Sequence, residues 1–371
     1  MQHDSIKPQS AQAETSEDLL IEQRGSLAVI TLNRPRALNA FNESMRHKMA
    51  EAYPRFARDA MIYAVVIQSA SDRAFCAGGD VRELVRVARE DKGAARRAFY
   101  EEYSFNWLHE CFSKPTISLI DGAVMGSGVG LSAYGTHRVA GRKYKFAMPE
   151  TAIGLFPDVG SMWLLSRMPD RIGMYLALTC RSIGRADALA LGLLTHCIPA
   201  EQYEEIKAAI ADTWPVDPLL DERHEDPGPR ELADLAPHIA HCFSAPTVEG
   251  ILQRLKEVEG PEREWAHDVH NELLTRSPLS LKVTHRHLTN ARALDLRQVL
   301  EIDYRLACRF LDDHDFYEGV RAALIDKDGN PAWRPDRLED VTPAMVDAYF
   351  APMGDAELRL PTRREMQVAR V

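Results

Sequence analysis

The sequence predicts an α/β fold with a mainly helical C-terminal region, and three observations predict it. β-branched runs ended by turn formers alternate with amphipathic stretches up to about Pro199. Glycine-containing loops follow two of those runs, and beyond Pro199 helical spacing takes over. At 371 residues, 45% hydrophobic and 27% charged, the chain can bury a large core and still carry an appendage. The expected organisation is a disordered tail over 1–17, a core over 18–200 and a helical region over 201–371, with a Pro-rich wrapping loop near 214–232.

In chain order, "MQHDSIKPQSAQAETSEDL" has neither a signal-peptide apolar stretch nor an Arg-rich amphipathic leader and reads as the tail. "LAVITLNRP" (Leu27 to Pro35) and "YAVVIQSA" (Tyr63 to Ala70) read as buried strands. Between them a helix is expected from the cap Asn42, with Met45, Met49 and Tyr53 at spacing four. "PTISLIDGAV" (Pro115 to Val124) is a third strand, leading into "MGSGVGLSAYG", whose small residues allow close packing at a strand-to-helix turn. A fourth run, "HRVAGRKYKFAMPE", ends at Glu150. Trp214 to Leu232 is rich in Pro and charge, and the amphipathic stretches "PTVEGILQRLKEVE", "SPLSLKVTHRHLTNA" and "LRQVLEIDYRLACRFL" read as helices.

Several function classes are excluded by composition. A net charge of −10 argues against a nucleic-acid binder, which needs clustered Lys and Arg. No apolar run approaches the ~20 residues of a membrane span. The six cysteines form no CxxC pair or regular spacing, so neither a metal site nor a disulfide framework is expected. Reduced thiols and the missing targeting signals together give an expected cytoplasmic location.

"PETAIGLFPDVG" (Pro149 to Gly160) sets two acids, Glu150 and Asp158, among apolar residues, prolines and glycines. Lone carboxylates usually cap helices or sit in solvated turns. Here Ala152, Ile153, Leu155 and Phe156 call for burial, and desolvation raises a carboxyl pKa toward acid/base or nucleophilic work. The loops "AFCAGGDV" (Ala74 to Val81) and "DGAVMGSGVGL" (Asp121 to Leu131) can aim backbone N–H groups at developing negative charge. Neither loop matches a phosphate or dinucleotide fingerprint.

In this order "LNRPRALNAF", "AFCAGGDVREL", "DGAVMGSGVGLS" and "MPETAIGLFPDVG" resemble the enoyl-CoA hydratase/isomerase (crotonase) superfamily, from about Leu19 to Pro199. The resemblance implies a spiral of ββα units, an acyl-CoA substrate and an oxyanion hole made by the N–H groups of Gly79 and Ser127. It implies no metal and no separate cofactor, coenzyme A entering as part of the substrate. Arg36, Ala37, Leu38 and Ala77 take the positions that line CoA, and a homo-oligomer is compatible with the likeness. A typical hydratase carries two glutamates; one corresponds to Glu150, but Gly130 stands at the other, a loss worth about 10²–10⁴-fold in rate.

Asp158 at its spacing from Glu150, "EEY" (Glu101 to Tyr103), "SPLSLK" and "HDFYEGVRAALIDKDGNPAWRP" are similar to the 3-hydroxyisobutyryl-CoA hydrolases of valine breakdown. That likeness implies Glu150 as nucleophile or general base, Asp158 on the substrate 3-hydroxyl or the attacking water, and Glu102 against the substrate. 3-Hydroxypropionyl-CoA is the next candidate substrate, and an enoyl-CoA hydratase or isomerase acting through Glu150 is the rival reading. Ser127 replaces a usual glycine, while Met162 and Trp163 replace a glycine-rich stretch beside Asp158, where they are expected to shape the acyl pocket. Asp80 reads as a helix cap, and Arg321 and Lys327 read as part of a packing segment in preference to a CoA phosphate site.

Overall fold

The computed structural model describes residues 17–371, so the expected tail lies outside the described residues except for Glu17. The N-terminal half is a spiral. β1 (Leu19–Arg24) and β2 (Leu27–Leu32) pair antiparallel, and three strand pairs follow. These are β3 (Ala64–Ser69) with β4 (Ala74–Cys76), β5 (Thr116–Ile120) with β6 (Ala123–Met125), and β7 (His137–Ala140) with β8 (Lys145–Ala147). The first strand of each pair enters a six-stranded sheet of order β1-β2-β3-β5-β7-β9, closed by β9 (His196–Cys197). The second enters a parallel three-stranded sheet of order β4-β6-β8. Each turn of the spiral therefore adds one strand to each sheet.

The central strands β2, β3 and β5 of the larger sheet are buried on both faces, as parallel strands require. Side chains alternate along β2: Ala28, Ile30 and Leu32 face the main core, while Leu27 and Val29 face a second cluster. α1 (Glu43–Arg58) starts where expected, Asn42 accepting from the Met45 N–H, and buries Met45, Met49 and Tyr53. α2 (Val81–Glu90) and α3 (Lys92–Cys111) follow β4, and α4 (Ser127–Ser132) follows β6. A 3₁₀ turn (Glu150–Ile153) and α5 (Ser161–Leu165) follow β8. α6 (Ile172–Thr179) and α7 (Arg185–Ala190) lead to β9.

The second face of the large sheet is covered by α8 (Tyr203–Ala211) and α9 (Val216–Asp221), through Ile206, Ile210, Leu219 and Leu220. This cover comes from beyond residue 200, and α9 lies inside the stretch expected as a wrapping loop. Val216, Leu219 and Leu220 give the prolines and charges there an apolar helical stripe. The run "HRVAGRKYKFAMPE" likewise divides into two strands in different sheets. At its break the Asp121 carboxylate accepts from the Lys143 N–H (2.8 Å) and presses against Gly141, where a Cβ would lie 2.3 Å from it.

The remaining helices are α10 (Ala236–Phe243), α11 (Val248–Lys256), α12 (Arg263–Leu274), α13 (Pro278–Ala291), α14 (Leu296–Phe310), α15 (Asp315–Val320), α16 (Pro343–Phe350) and α17 (Arg363–Val368). Thr247, Ser277 and Asp295 cap α11, α13 and α14 through their side chains. α14 packs along α3, α13 against α5 and α6, and α15 against the 3₁₀ turn that begins at Glu150. Gly154 and Gly319 permit that last contact: a Cβ on either would lie within 2.3 Å of the opposing backbone. Among the described residues no helix is long and apolar enough to cross a membrane.

Candidate active site

The C-terminal ends of the three small-sheet strands converge. β4 leads to Gly78 and Gly79, β6 to Gly126 and Ser127, and β8 to Glu150. Gly78 (φ +115°) and Gly126 (φ +47°) hold conformations that disfavour a side chain. A Cβ on Gly126 would lie 2.9 Å from Glu150 Oε1 and 3.3 Å from the Gly78 Cα, and one on Gly79 would lie 3.0 Å from Ser127 Oγ. Only glycine lets these three loops meet.

Two free donors result. The carbonyl of Gly78 accepts from the Phe41 N–H and the Asp80 N–H donates to the Phe41 carbonyl, so the Gly79 N–H between them points the opposite way. Ser127 is the first residue of α4, where an N–H has no partner within the helix. Among the described residues neither N–H has a protein acceptor. The two sequence-predicted donors thus lie side by side, beside a carboxylate.

Glu150 is buried, and its Oε2 has no hydrogen-bond partner. Burial, and then the neighbouring Asp158 charge, pushes its pKa well above the ordinary carboxylate range. Asp158 is also raised, first by burial and then by Glu102, against a 2.6 Å hydrogen bond from the Tyr103 hydroxyl that favours its anion. Glu102, on the buried face of α3, is raised by burial and partly held down by Arg46 and the nearby Ser127 hydroxyl; its Oε1 is unpartnered. The three predicted acids are therefore brought together as a buried, mutually repelling cluster, in which two oxygens lack a donor.

Tyr103 and Asn106 are site residues that sequence reasoning missed. Glu102, Tyr103 and Asn106 share one buried helical face, and polar groups at that spacing among Phe99, Phe105 and Trp107 were the available signal. Asn106 settles the matter of Gly130. A Cβ there would lie 2.6 Å from Asn106 Nδ2 and 3.1 Å from the Val159 Cβ, so the place of a second hydratase glutamate is filled by other side chains.

Arg36 and Ala37 are exposed and Leu38 is half-buried on a turn at the mouth of the Gly79 loop, where the Ala77 N–H donates to the Leu38 carbonyl (3.0 Å). Asn39 fixes this turn by accepting from the Arg34 N–H and donating to Ser69 Oγ and the Phe75 carbonyl. Asp80 is a cap, accepting from the Glu83 N–H and pairing with Arg34. Arg321 is bound by Glu318, Asp326 and Asp328 of its own segment, and Lys327 is exposed. The Arg167 guanidinium stacks 4.5 Å from the ring of the partly buried Trp163, while Met162 is buried in the core. All six cysteines are free thiols.

The family model for enoyl-CoA hydratase/isomerase matches residues 27–350. The mitochondrial 3-hydroxyisobutyryl-CoA hydrolase of Xenopus tropicalis is 39% identical over 353 residues, covering 92% of this chain and 91% of its own. The human mitochondrial protein of that name is 37% identical (94% and 92% covered), and 3-hydroxyisobutyryl-CoA hydrolase 1 of Arabidopsis thaliana 36% (94% and 95%). Among solved structures, a carnitinyl-CoA dehydratase from Mycobacterium thermoresistibile superposes with a TM-score of 0.87 at 38% identity, over 93% of this chain and 99% of that one. An enoyl-CoA hydratase from Rhodobacter sphaeroides gives 0.85 at 35% identity, over 92% and 100%. The expected cytoplasmic location does not stand, because the vertebrate relatives are named as mitochondrial proteins.

Proposed function

The chain belongs to the enoyl-CoA hydratase/isomerase family, and from its likeness to the 3-hydroxyisobutyryl-CoA hydrolases we infer that it hydrolyses 3-hydroxyisobutyryl-CoA to 3-hydroxyisobutyrate and CoA, a step of valine breakdown. The observation that carries this reading is the acid cluster. Glu150 and Asp158 are both present, the second hydratase acid is replaced by Gly130, and two buried carboxylate oxygens await a donor. A hydroxyl on the acyl chain brings this acid cluster a donor; an unsubstituted acyl chain brings none, at about 1–3 kcal/mol per buried group left unsatisfied.

In the mechanism, the thioester oxygen sits between the Gly79 and Ser127 N–H groups. Charge grows on that oxygen as the tetrahedral intermediate forms, and donors fixed beforehand stabilise it without reorganisation. Glu150 drives the attack. Its oxygen bonds to the thioester carbon, collapse of the intermediate expels CoA thiolate, and water then cleaves the mixed anhydride; alternatively, Glu150 takes a proton from the water that attacks. A single turnover in ¹⁸O-water tests for an anhydride opened at the Glu150 carbonyl, because only then is the first product oxygen derived from Glu150 and the label left in the enzyme. Asp158, oriented by Tyr103, holds the 3-hydroxyl, and Glu102 closes the acyl pocket behind it.

The rival reading, enoyl-CoA hydration, is favoured by the names of the two solved structures and opposed by the filled space at Gly130. One experiment tests the choice. CoA release is followed with a thiol reagent across 3-hydroxyisobutyryl-, 3-hydroxypropionyl-, isobutyryl- and crotonyl-CoA, beside an absorbance assay for enoyl-CoA hydration. Release fastest from a 3-hydroxyacyl-CoA is expected; hydration without CoA release overturns the hydrolase reading.

A further inference from the structure

We propose that the buried His287–Asp303 pair, contributed by α13 and α14, is a positioning device that fixes the strained turn Asp158–Gly160 and so aims the Asp158 carboxyl. The proposal rests on the functional reading above for its link to turnover, but the geometry behind it is independent of the substrate.

Val159 has φ +53°, a left-handed conformation that β-branched residues rarely adopt. Such conformations persist only where surroundings over-determine them. Here the surroundings are two hydrogen bonds from distant elements. The Tyr134 hydroxyl donates to the Val159 carbonyl (2.6 Å), and the Gly160 N–H donates to Asp303 Oδ2 (2.7 Å). The other Asp303 oxygen meets His287 Nε2 at 2.6 Å, and both side chains are fully buried. His287 in turn stands edge-on to Phe156, two residues before Asp158. The loop is thus gripped on both sides of its carboxylate.

Burying such a pair is expensive, and a hydrophobic pair of similar volume would serve stability as well or better. What a hydrophobic pair cannot do is accept the Gly160 N–H. The strained turn also has two site consequences. It directs Asp158 to the Tyr103 hydroxyl, and it brings the Val159 side chain to within 3.1 Å of where a Gly130 Cβ would lie. The helical C-terminal region therefore reaches the chemistry through Asp303, which touches no reacting atom.

The test uses the full chain. Asp303→Leu removes the acceptor at similar volume, Asp303→Asn keeps an acceptor for Gly160 and an amide to face His287, and Tyr134→Phe releases the same turn without altering the Asp303–His287 pair. Because misplacement by about 1 Å can cost about 10²-fold, Asp303→Leu is expected to lower kcat for 3-hydroxyisobutyryl-CoA by about 30–100-fold, with KM within about threefold. Its preference for that substrate over isobutyryl-CoA should disappear. Asp303→Asn should stay within about fivefold of wild type, and Tyr134→Phe should fall about tenfold with the same loss of preference.

Hydrogen exchange is the second arm: the peptide covering 155–165 should exchange faster in Asp303→Leu and Tyr134→Phe, and α1 unchanged. If Asp303→Leu fails to fold, Tyr134→Phe and Asp303→Asn decide. Wild-type kcat and substrate preference in folded Tyr134→Phe or Asp303→Leu, or unchanged local exchange, overturn the proposal. Absence of CoA release by the wild type would instead overturn the hydrolase reading, and the exchange arm would still judge the positioning role.

Discussion

Glu150→Gln should make the protein nearly inactive and, at neutral pH, more stable. The activity loss follows from position: the Glu150 carboxyl adjoins Gly126, between the loops that carry the two free N–H groups, while Asp158 is engaged by Tyr103. Losing an acid/base group typically costs ~10²–10⁴-fold. The stability gain follows from linkage. Burial and the Asp158 charge raise the Glu150 pKa in the folded state, so between the unfolded value near 4.3 and the folded value the native protein holds a proton that the unfolded chain has released. Stability falls as pH rises through that window, and the deficit persists above it. Glutamine does not titrate, so the variant escapes the deficit. A gain on the order of 1 kcal/mol is expected at pH 8, the usual size of such relief at a functional site, with little difference at pH 4. For a chain of this length that is a Tm rise of roughly 1–2 °C. Calorimetric melts at both pH values and the thiol assay check the pair of effects. A variant keeping more than about a tenth of wild-type turnover, a barrier change of only ~1.4 kcal/mol, refutes the catalytic role. A variant that melts lower than wild type at pH 8 refutes the electrostatic reasoning.

Three further perturbations read the same site. Asp158→Asn removes the like charge that helps raise Glu150, so the acid limb of kcat/KM against pH should move down, though not to the ordinary carboxylate value because burial is the larger cause; an unmoved limb means the two carboxyls do not interact. The same variant should lose more activity on 3-hydroxyisobutyryl-CoA than on isobutyryl-CoA, and equal losses would move Asp158 to water or Glu150 positioning. Ser127→Ala should keep turnover within a few-fold, since the N–H and not the hydroxyl is the donor, whereas Ser127→Pro, tolerated in a first helical turn, should lose ~10²–10³-fold; circular dichroism controls for folding, and an inactive but folded alanine variant would assign the hydroxyl a catalytic role. Gly130→Ala should destabilise the fold by about 1–3 kcal/mol through overpacking against Asn106 and Val159, measured by urea denaturation; a neutral result means that space is open and the hydratase reading regains ground.

The fold was legible wherever burial imposed a period. β2 and β3 are buried along most of their length and stand out as β-branched runs, and α1 shows its cap and its stripe. β1 was not legible: of "LLIEQR" only Leu19 is buried, so no alternation survives. α9 was hidden for the opposite reason, its apolar residues being outnumbered by prolines and charges that face solvent. Location was misjudged because missing signals say little, and homologues corrected it.

Site residues divide along a different line. Those held by local geometry, such as Gly79, Ser127 and Glu150, follow strand ends by two or three residues, so motif spacing finds them. Those held by tertiary geometry leave no local trace. Asp303 and His287 lie more than a hundred residues from Asp158, on helices whose apolar stripes alone account for their position. Their one sequence signature is a polar side chain on a buried face, which is uninformative until the partner is known. Tyr103 is intermediate: it adjoins Glu102 in sequence, yet its function is set by a carboxylate 55 residues away. The consequence concerns how the hydrolase differs from its hydratase relatives. Removing one glutamate at Gly130 is a local change, but filling its space with Val159 requires a strained turn, and holding that turn draws on Tyr134, just past α4, and on α13 and α14 at once. Gly130→Glu alone should therefore not restore hydration, because the incoming side chain meets Asn106 and a Val159 that the C-terminal helices keep in place.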